Sequence, residues 1–150
     1  MTEKQMCPIV SDWICSQGYV PLYELLYPGH YVDIIGVRFA LRIGRPIPQL
    51  IGIIVVEMKI AKVGDVLSQL RYSLANYVYA AMPDEAVLRM KPATVKRFRA
   101  TNIGLLRVGA NCDVAIPCDW RYLTEEQLAV PRVHFWRAMI RQAKRNGIPF

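Results

Sequence analysis

The spacing of apolar residues divides the chain into elements before any chemistry is considered. Ile9, Val10, Trp13 and Ile14 recur at helical spacing, and Gly18 follows as a residue suited to the turn after a helix end. Proline is tolerated in a first helical turn but not in a helix interior, so Pro8 sets the predicted start of a first helix over residues 8–17. Residues 19–27 read as a strand, Pro28-Gly29-His30 as a turn, and 31–41 as a second strand. A loop over 42–49, carrying Gly44, Pro46 and Pro48, leads to a third strand over 50–58 that opens with the apolar run Leu50-Ile51-Gly52-Ile53-Ile54-Val55-Val56. One helix followed by an antiparallel three-stranded meander is the prediction.

After Gly64 the period becomes helical again. Val63, Val66, Leu67, Leu70, Leu74 and Tyr77 form an apolar stripe, with Lys62, Asp65, Gln69, Tyr72 and Asn76 on a polar line beside it. This helix is predicted to end near Asn76, and 77–82 is a short β-prone strand, which makes the helix the crossover of a right-handed β-α-β unit. Asp84 can N-cap a short helix, and Pro92 can start another with Val95 and Phe98 inward and Lys96, Arg97 and Arg99 outward. Residues 103–108 and 112–116 form a hairpin around Gly109-Ala110-Asn111. Thr124-Glu125-Glu126-Gln127 has capping-box spacing, with Leu123 and Leu128 available as a staple. The last helix is predicted to begin after Pro131, over about 132–146, with Val133, Trp136, Met139, Ile140 and Ala143 opposed by Arg137, Arg141, Lys144 and Arg145. The fold class is α/β, a mixed central sheet flanked by helices.

A chain of 150 residues with 53% hydrophobic and 21% charged side chains makes a single domain with a sizeable core and no linker or low-complexity stretch. Nineteen basic against 12 acidic residues give a net charge of +7, which favours a polyanionic partner without saying which. No secretory signal is visible at the N-terminus, and the longest apolar run is far below the roughly 20 residues that span a bilayer. A cytoplasmic protein without a membrane partner is expected. Cys7, Cys15, Cys112 and Cys118 lack zinc-ribbon or CxxC spacing and read as buried thiols, and His30 and His134 read as structural.

The candidate chemistry lies where the third strand leaves the core. Glu57-Met58-Lys59 closes the apolar run, and alternate strand residues share a face, so Glu57 and Lys59 would project together. Asp33 interrupts an apolar β-prone run on the preceding strand, and pairing of the two strands would bring two carboxylates beside one ammonium. Two carboxylates can hold a divalent cation with a base or charge stabiliser next to it. Each residue has a plainer reading as well. Lys59 could extend into solvent beside an ion-pair partner, Gln69 needs no special reason on an amphipathic helix, and Tyr72 reads first as helix packing.

The order helix, three strands, helix, strand, with Asp33 on the second strand, Glu57-Met58-Lys59 on the third and Gln69 on the next helix, resembles the PD-(D/E)xK nuclease superfamily over most of the chain. The resemblance implies a restriction endonuclease-like αβββαβ core and Mg²⁺-dependent hydrolysis of DNA, with Mn²⁺ able to substitute, leaving 5′-phosphate and 3′-hydroxyl ends. It implies Asp33, Glu57 and the Met58 carbonyl as metal ligands, Lys59 as the group that orients or deprotonates the attacking water or stabilises developing charge, and Gln69 as a positioning group. Two positions depart from the pattern. Tyr31-Val32 stands where a proline often precedes the Asp. Many members carry a Glu on the first helix facing the metal, and here Pro8 puts Glu3 outside that helix. Glu24 is then the best substitute, as a third acidic ligand through water or as a surface carboxylate. Tyr72, Lys96, Arg97, Arg99, Arg141 and Lys144 are the candidate nucleic-acid contacts.

The small size favours a repair, recombination or phage-type nuclease, with a homodimer or protein partner supplying specificity. The alternatives are a catalytically inactive nuclease-like module that grips nucleic acid and a structural assembly subunit.

Overall fold

The computed structural model describes residues 1–27 and 30–147, so the turn predicted at Pro28-Gly29 lies outside the described residues. The elements in chain order are α1 (Glu3–Ser16), β1 (Val20–Leu26), β2 (Tyr31–Ala40), β3 (Gln49–Met58), α2 (Val63–Leu70), β4 (Tyr77–Pro83), α3 (Asp84–Leu88), α4 (Pro92–Thr101), β5 (Gly104–Val108), β6 (Cys112–Ile116) and α5 (Glu125–Arg145). The six strands form one sheet in sequence order, antiparallel through β1, β2 and β3, parallel through β3, β4 and β5, and antiparallel again at β6. The α/β class with a mixed, helix-flanked sheet is therefore observed.

Strand alternation explains why helices cover both faces. Ile35, Val37, Ile53, Val55, Val78 and Leu105 pack with Val66 and Leu70 of α2, Phe98 of α4 and Phe135 of α5. Ile34, Ile54, Val56, Met58, Ala81 and Leu106 pack with Met6, Val10 and Ile14 of α1. Central strands buried on both faces lose the polar alternation of a one-sided sheet, and this accounts for the unbroken apolar run of β3.

Four boundaries differ from the sequence reading. α1 begins at Glu3, capped by Thr2, with Pro8 inside it. α5 begins at Glu125, capped by Thr124, with Pro131 inside it. Both N-termini carry a complete capping box, in which the Thr hydroxyl accepts the Gln backbone N–H and the Gln side chain accepts the Thr N–H. A proline in the second turn removes one helical hydrogen bond, but the cap upstream has already fixed the first turn. The buried residues of α5 are Pro131, Phe135 and Ala138, whereas Val133, Trp136, Met139, Ile140 and Ala143 are only half-buried.

α2 stops at Leu70, so Tyr72 and Asn76 lie beyond the helix on which they were expected. Asn76 explains the early stop: its backbone N–H donates to the Ile53 carbonyl at 3.0 Å, and its Oδ1 accepts the Ile53 N–H at 2.8 Å. Its side-chain amide donates to the Arg121 carbonyl at 2.9 Å, and its own carbonyl accepts the Arg121 N–H at 2.8 Å. These bonds to β3 and to the segment before α5 need an extended Asn76, not a helical one. Asp84 is the first residue of α3 and not its cap, a position held by Pro83. The cysteines are free, but only Cys118 is buried; Cys7 and Cys112 are half-buried and Cys15 is exposed.

Candidate active site

Antiparallel pairing between β2 and β3 is observed down to Ile34 opposite Val56, and one further step sets Asp33 opposite Glu57. The ladder ends there because Asp33 uses its side chain: its Oδ2 accepts the Met58 N–H at 2.8 Å. In an extended strand the N–H and C=O of one residue point the same way, so the Met58 carbonyl lies on the Asp33 side of β3. The Lys59 N–H meanwhile donates to the Ala81 carbonyl at 2.9 Å, which ties the strand end to β4. Asp33, Glu57, Met58 and Lys59 are thus brought together.

Glu57 is the most unusual group in this set. Its side chain is only 4% exposed, and its Oε1 has no hydrogen-bond partner. Burial, then the neighbouring Asp33 charge and a carboxyl–carboxyl hydrogen bond, together push its carboxyl up to about 8, with the Lys59 ammonium partly offsetting them. A buried carboxyl oxygen without a donor is costly to a fold, and native structures carry few of them.

Lys59 leads from this pair into an open cleft of about 670 Å³, where Glu3, Lys59, Lys62, Asp65, Ser68 and Gln69 form part of the wall. The cleft holds both Lys59 and Gln69, as the sequence implied. It also contains Glu3, which the expected start at Pro8 left outside α1. The missed signal was Thr2-Glu3-Lys4-Gln5, a capping box with a Glu in its first turn. The Met1 ammonium lies 3.9 Å from Glu85 on α3. Across the Ile60-Ala61 segment lies a second cavity of about 400 Å³, whose wall includes Arg89, Lys91 and Thr94.

Other predicted site residues lie elsewhere. Glu24 occupies a cavity of about 190 Å³ with Arg141, Gln142 and Arg145 of α5, and among the described residues no group of three Asp, Glu, His or Cys side chains converges to hold a metal. Its backbone is left-handed, with φ of 50°, at the point where the β1–β2 pairing skips Asp33. Lys62, at the cleft, is likewise left-handed at φ of 61°. Non-glycine residues held in this conformation carry strain, and of these Lys62 lines the cleft. Tyr72 is exposed past the end of α2, 5.5 Å below the Arg71 guanidinium, and does not line the cleft. Lys96, Arg97, Arg99 and Lys144 are exposed; only Arg97 approaches the α2 start, where a Cβ on Gly64 would lie 3.8 Å from its Nη1.

The donor set fits a hard divalent cation in type. Asp33, Glu57 and the Met58 carbonyl are all oxygen donors, and the orphaned Glu57 Oε1 is the kind of atom a cation would satisfy.

No family model and no curated protein matches the chain. A solved structure of a protein of unknown function from Silicibacter pomeroyi is similar over 100% of this chain and 96% of its own, with a TM-score of 0.64 at 19% identity. At that identity the likeness concerns the fold. Among the described residues, no helix is long and apolar enough to cross a membrane.

Proposed function

We propose that the chain is a metal-dependent nuclease that hydrolyses DNA phosphodiester bonds with Asp33, Glu57, Lys59 and Gln69. One observation carries the reading: Glu57, buried with an unpaired oxygen, sits against a second carboxylate and near Lys59, a lysine that lines a cleft. A stability-driven sequence would place an apolar residue there. The strained backbone of Lys62 at the cleft and the αβββαβ order of α1 to β4 support the same reading.

Asp33, Glu57 and the Met58 carbonyl would hold Mg²⁺ or Mn²⁺. When bound, the cation supplies neutralisation of the phosphoryl oxygens. The residues do the rest of the work. Lys59 stands between the carboxylates and the cleft, where its ammonium offsets charge developing on the phosphate and its neutral amine can take the proton of the attacking water. Gln69 presents an amide to the same space and orients that water or a phosphate oxygen. Glu3, across the cleft from α2, is a further acceptor for a water's proton. Arg89 and Lys91 continue the groove with positive charge, which suits a strand backbone running past the cleft. The proposed setting is a repair, recombination or phage-type nuclease.

Nicking of supercoiled plasmid in Mg²⁺, in Mn²⁺ and in EDTA tests the reading. Metal-dependent nicking that disappears in Asp33→Asn is the expected result. A pure, folded protein that shifts DNA mobility but cuts nothing would make it a binding module, and one that does neither would make it a structural subunit.

A further inference from the structure

On the sheet face that carries α1, a second cavity of about 300 Å³ lies past the end of that helix and far from the carboxylates. Trp13, Gln17, Tyr19, Arg38, Tyr77 and Tyr79 line most of it. Arg38 pairs with Gly52 on β3, five residues before Glu57, so the two sites are separated by roughly 16 Å along the strand.

Three strands are kept bare beneath these rings. A Cβ on Gly52 would lie 2.8 Å from the Tyr19 hydroxyl oxygen, one on Gly36 would lie 3.2 Å from the Tyr19 Cβ, and one on Gly104 would run into the Tyr79 ring. Glycine weakens a strand, so its use at these positions lets Tyr19 and Tyr79 lie close against the sheet. The rings are set against each other at an angle: Trp13 meets Tyr79 edge-on at 5.3 Å, Tyr77 meets Trp120 edge-on at 5.2 Å, and Tyr77 and Tyr79 are 6.3 Å apart.

The polar groups of this cavity are the Arg38 guanidinium, a donor only, and tyrosine hydroxyls and the Gln17 amide, which can donate. Tyr23 and Tyr27 hand their hydroxyl protons to Ser11 and to the Leu74 carbonyl, but among the described residues no protein acceptor takes those of Tyr19, Tyr77 or Tyr79. Burial raises Tyr19 and Tyr79 above the ordinary tyrosine range, so both stay protonated donors well above neutral pH. Arg38 has no carboxylate within ion-pair distance among the described residues. A guanidinium that meets the Tyr19 hydroxyl but no carboxylate, beside aromatic faces, suits a planar ligand that carries anionic oxygens. The volume is at the lower end of small-ligand sites, enough for one base with its sugar phosphate.

We propose that this cavity binds a single nucleotide, its base against Trp13 and Tyr77 and its phosphate at Arg38 and the tyrosine hydroxyls. Base–aromatic stacking and a charge-assisted phosphate contact are the two interactions that such a lining offers. The choice of a nucleotide over another planar anion rests on the nuclease reading, whereas the cavity and its chemistry do not. The same chemistry is present in a free mononucleotide and in an unpaired nucleotide of a strand.

The test titrates the full chain in EDTA with thymidine monophosphate and, separately, with a thymidine hexanucleotide, reading tryptophan fluorescence. Saturable quenching is expected, weakened about tenfold or more by Arg38→Gln, the range for losing a charge-assisted hydrogen bond. Tyr77→Leu should weaken it by at least about fivefold through weaker stacking. Melting curves matched to the parent show that both variants are folded. Tighter binding of the hexanucleotide assigns the site to a strand, tighter binding of the monophosphate assigns it to a free nucleotide, and either upholds the proposal. No saturable quenching by either probe, or an affinity unchanged in both variants, overturns it. Lys59→Ala should bind the probes like the parent, so failure of plasmid nicking and failure of nucleotide binding are read separately.

Discussion

Asn76 and Glu57 are both polar side chains buried against β3, at 2% and 4% exposure, yet their surroundings are opposite. Asn76 enters the interior with its polar atoms matched, its side chain and backbone bonded to Ile53 and Arg121. Glu57 enters with one oxygen unmatched and a second carboxylate beside it. A buried polar group that is fully satisfied holds a fold together, and one left unsatisfied calls for a reason, which the proposed cation would supply. Activity and stability should therefore separate cleanly between the two positions.

The largest effect should fall on activity at the Glu57 end. Lys59→Ala, with its melting curve unchanged, is expected to lower single-turnover cleavage by roughly 10²–10⁴-fold, the usual cost of losing an acid–base group, while much of the DNA affinity remains. Undiminished cleavage would return Lys59 to an ordinary strand-end lysine and erase the contrast with Asn76.

At the other position the effect should be on stability. Asn76→Ala leaves the Ile53 N–H and the Arg121 carbonyl without side-chain partners, and each buried group so stranded costs about 1–3 kcal/mol. A loss of about 2–4 kcal/mol in urea unfolding is expected, with per-molecule cleavage preserved below the transition. A loss under about 0.5 kcal/mol, the range of an ordinary surface substitution, would mean that water replaces the amide at no cost.

Glu57 should show the reverse sign. Its carboxyl lies above the ordinary range in the folded chain, so the folded state binds a proton more tightly than the unfolded state. That contribution is fully present below about 4.5 and is lost as pH rises through about 8. In EDTA the parent should lose stability across this window, and Glu57→Gln, which cannot ionise, should lose less and be the more stable of the two at pH 8 by about 1–3 kcal/mol. Parallel stability–pH curves for parent and variant would show that Glu57 has its partners after all.

These two positions also show what was legible in the sequence. Glu57 stands out because a carboxylate closes seven residues of apolar strand, and Asp33 joins it only through the pairing of β2 with β3, whose register the sequence does not state. Asn76 did not stand out, since a polar residue continuing a helical line looks the same whether the helix goes on or has stopped at Leu70. Its bonds to Ile53 and Arg121 are long-range, and nothing local encodes them. The two helix starts failed for a local reason instead. Proline marks a boundary at Pro8 and Pro131, but the stronger signal is the Thr-x-x-Gln box a turn or more upstream, at Thr2 and Thr124. That box puts Glu3 on α1, and with it an acidic residue on the first helix in place of Glu24.

The smallest effects belong to the charges on the surface, where the same distinction applies. Arg107 is a committed cation, 2.6 Å from Asp113 and 3.5 Å from Asp84. Lys96, Arg97 and Arg99 are exposed, and among the described residues no carboxylate lies within ion-pair distance of them. Free cations can take phosphates, and each duplex phosphate that a variant no longer neutralises lowers the slope of log K against log salt by about 0.9 in magnitude. Neutralising Lys96, Arg97 and Arg99 together should therefore flatten that slope by up to about 2.7 and weaken binding with little dependence on sequence. Cleavage at saturating DNA should change little, because of the three only Arg97 comes near the cleft wall. Arg107→Gln is the paired control, expected to leave the slope within error of the parent because its charge is already answered within the chain. An equal flattening by Arg107→Gln would show that net charge alone governs binding, and an unchanged slope in the triple variant would assign α4 to a solvated face and turn attention to Arg141 and Arg145, which share the Glu24 cavity.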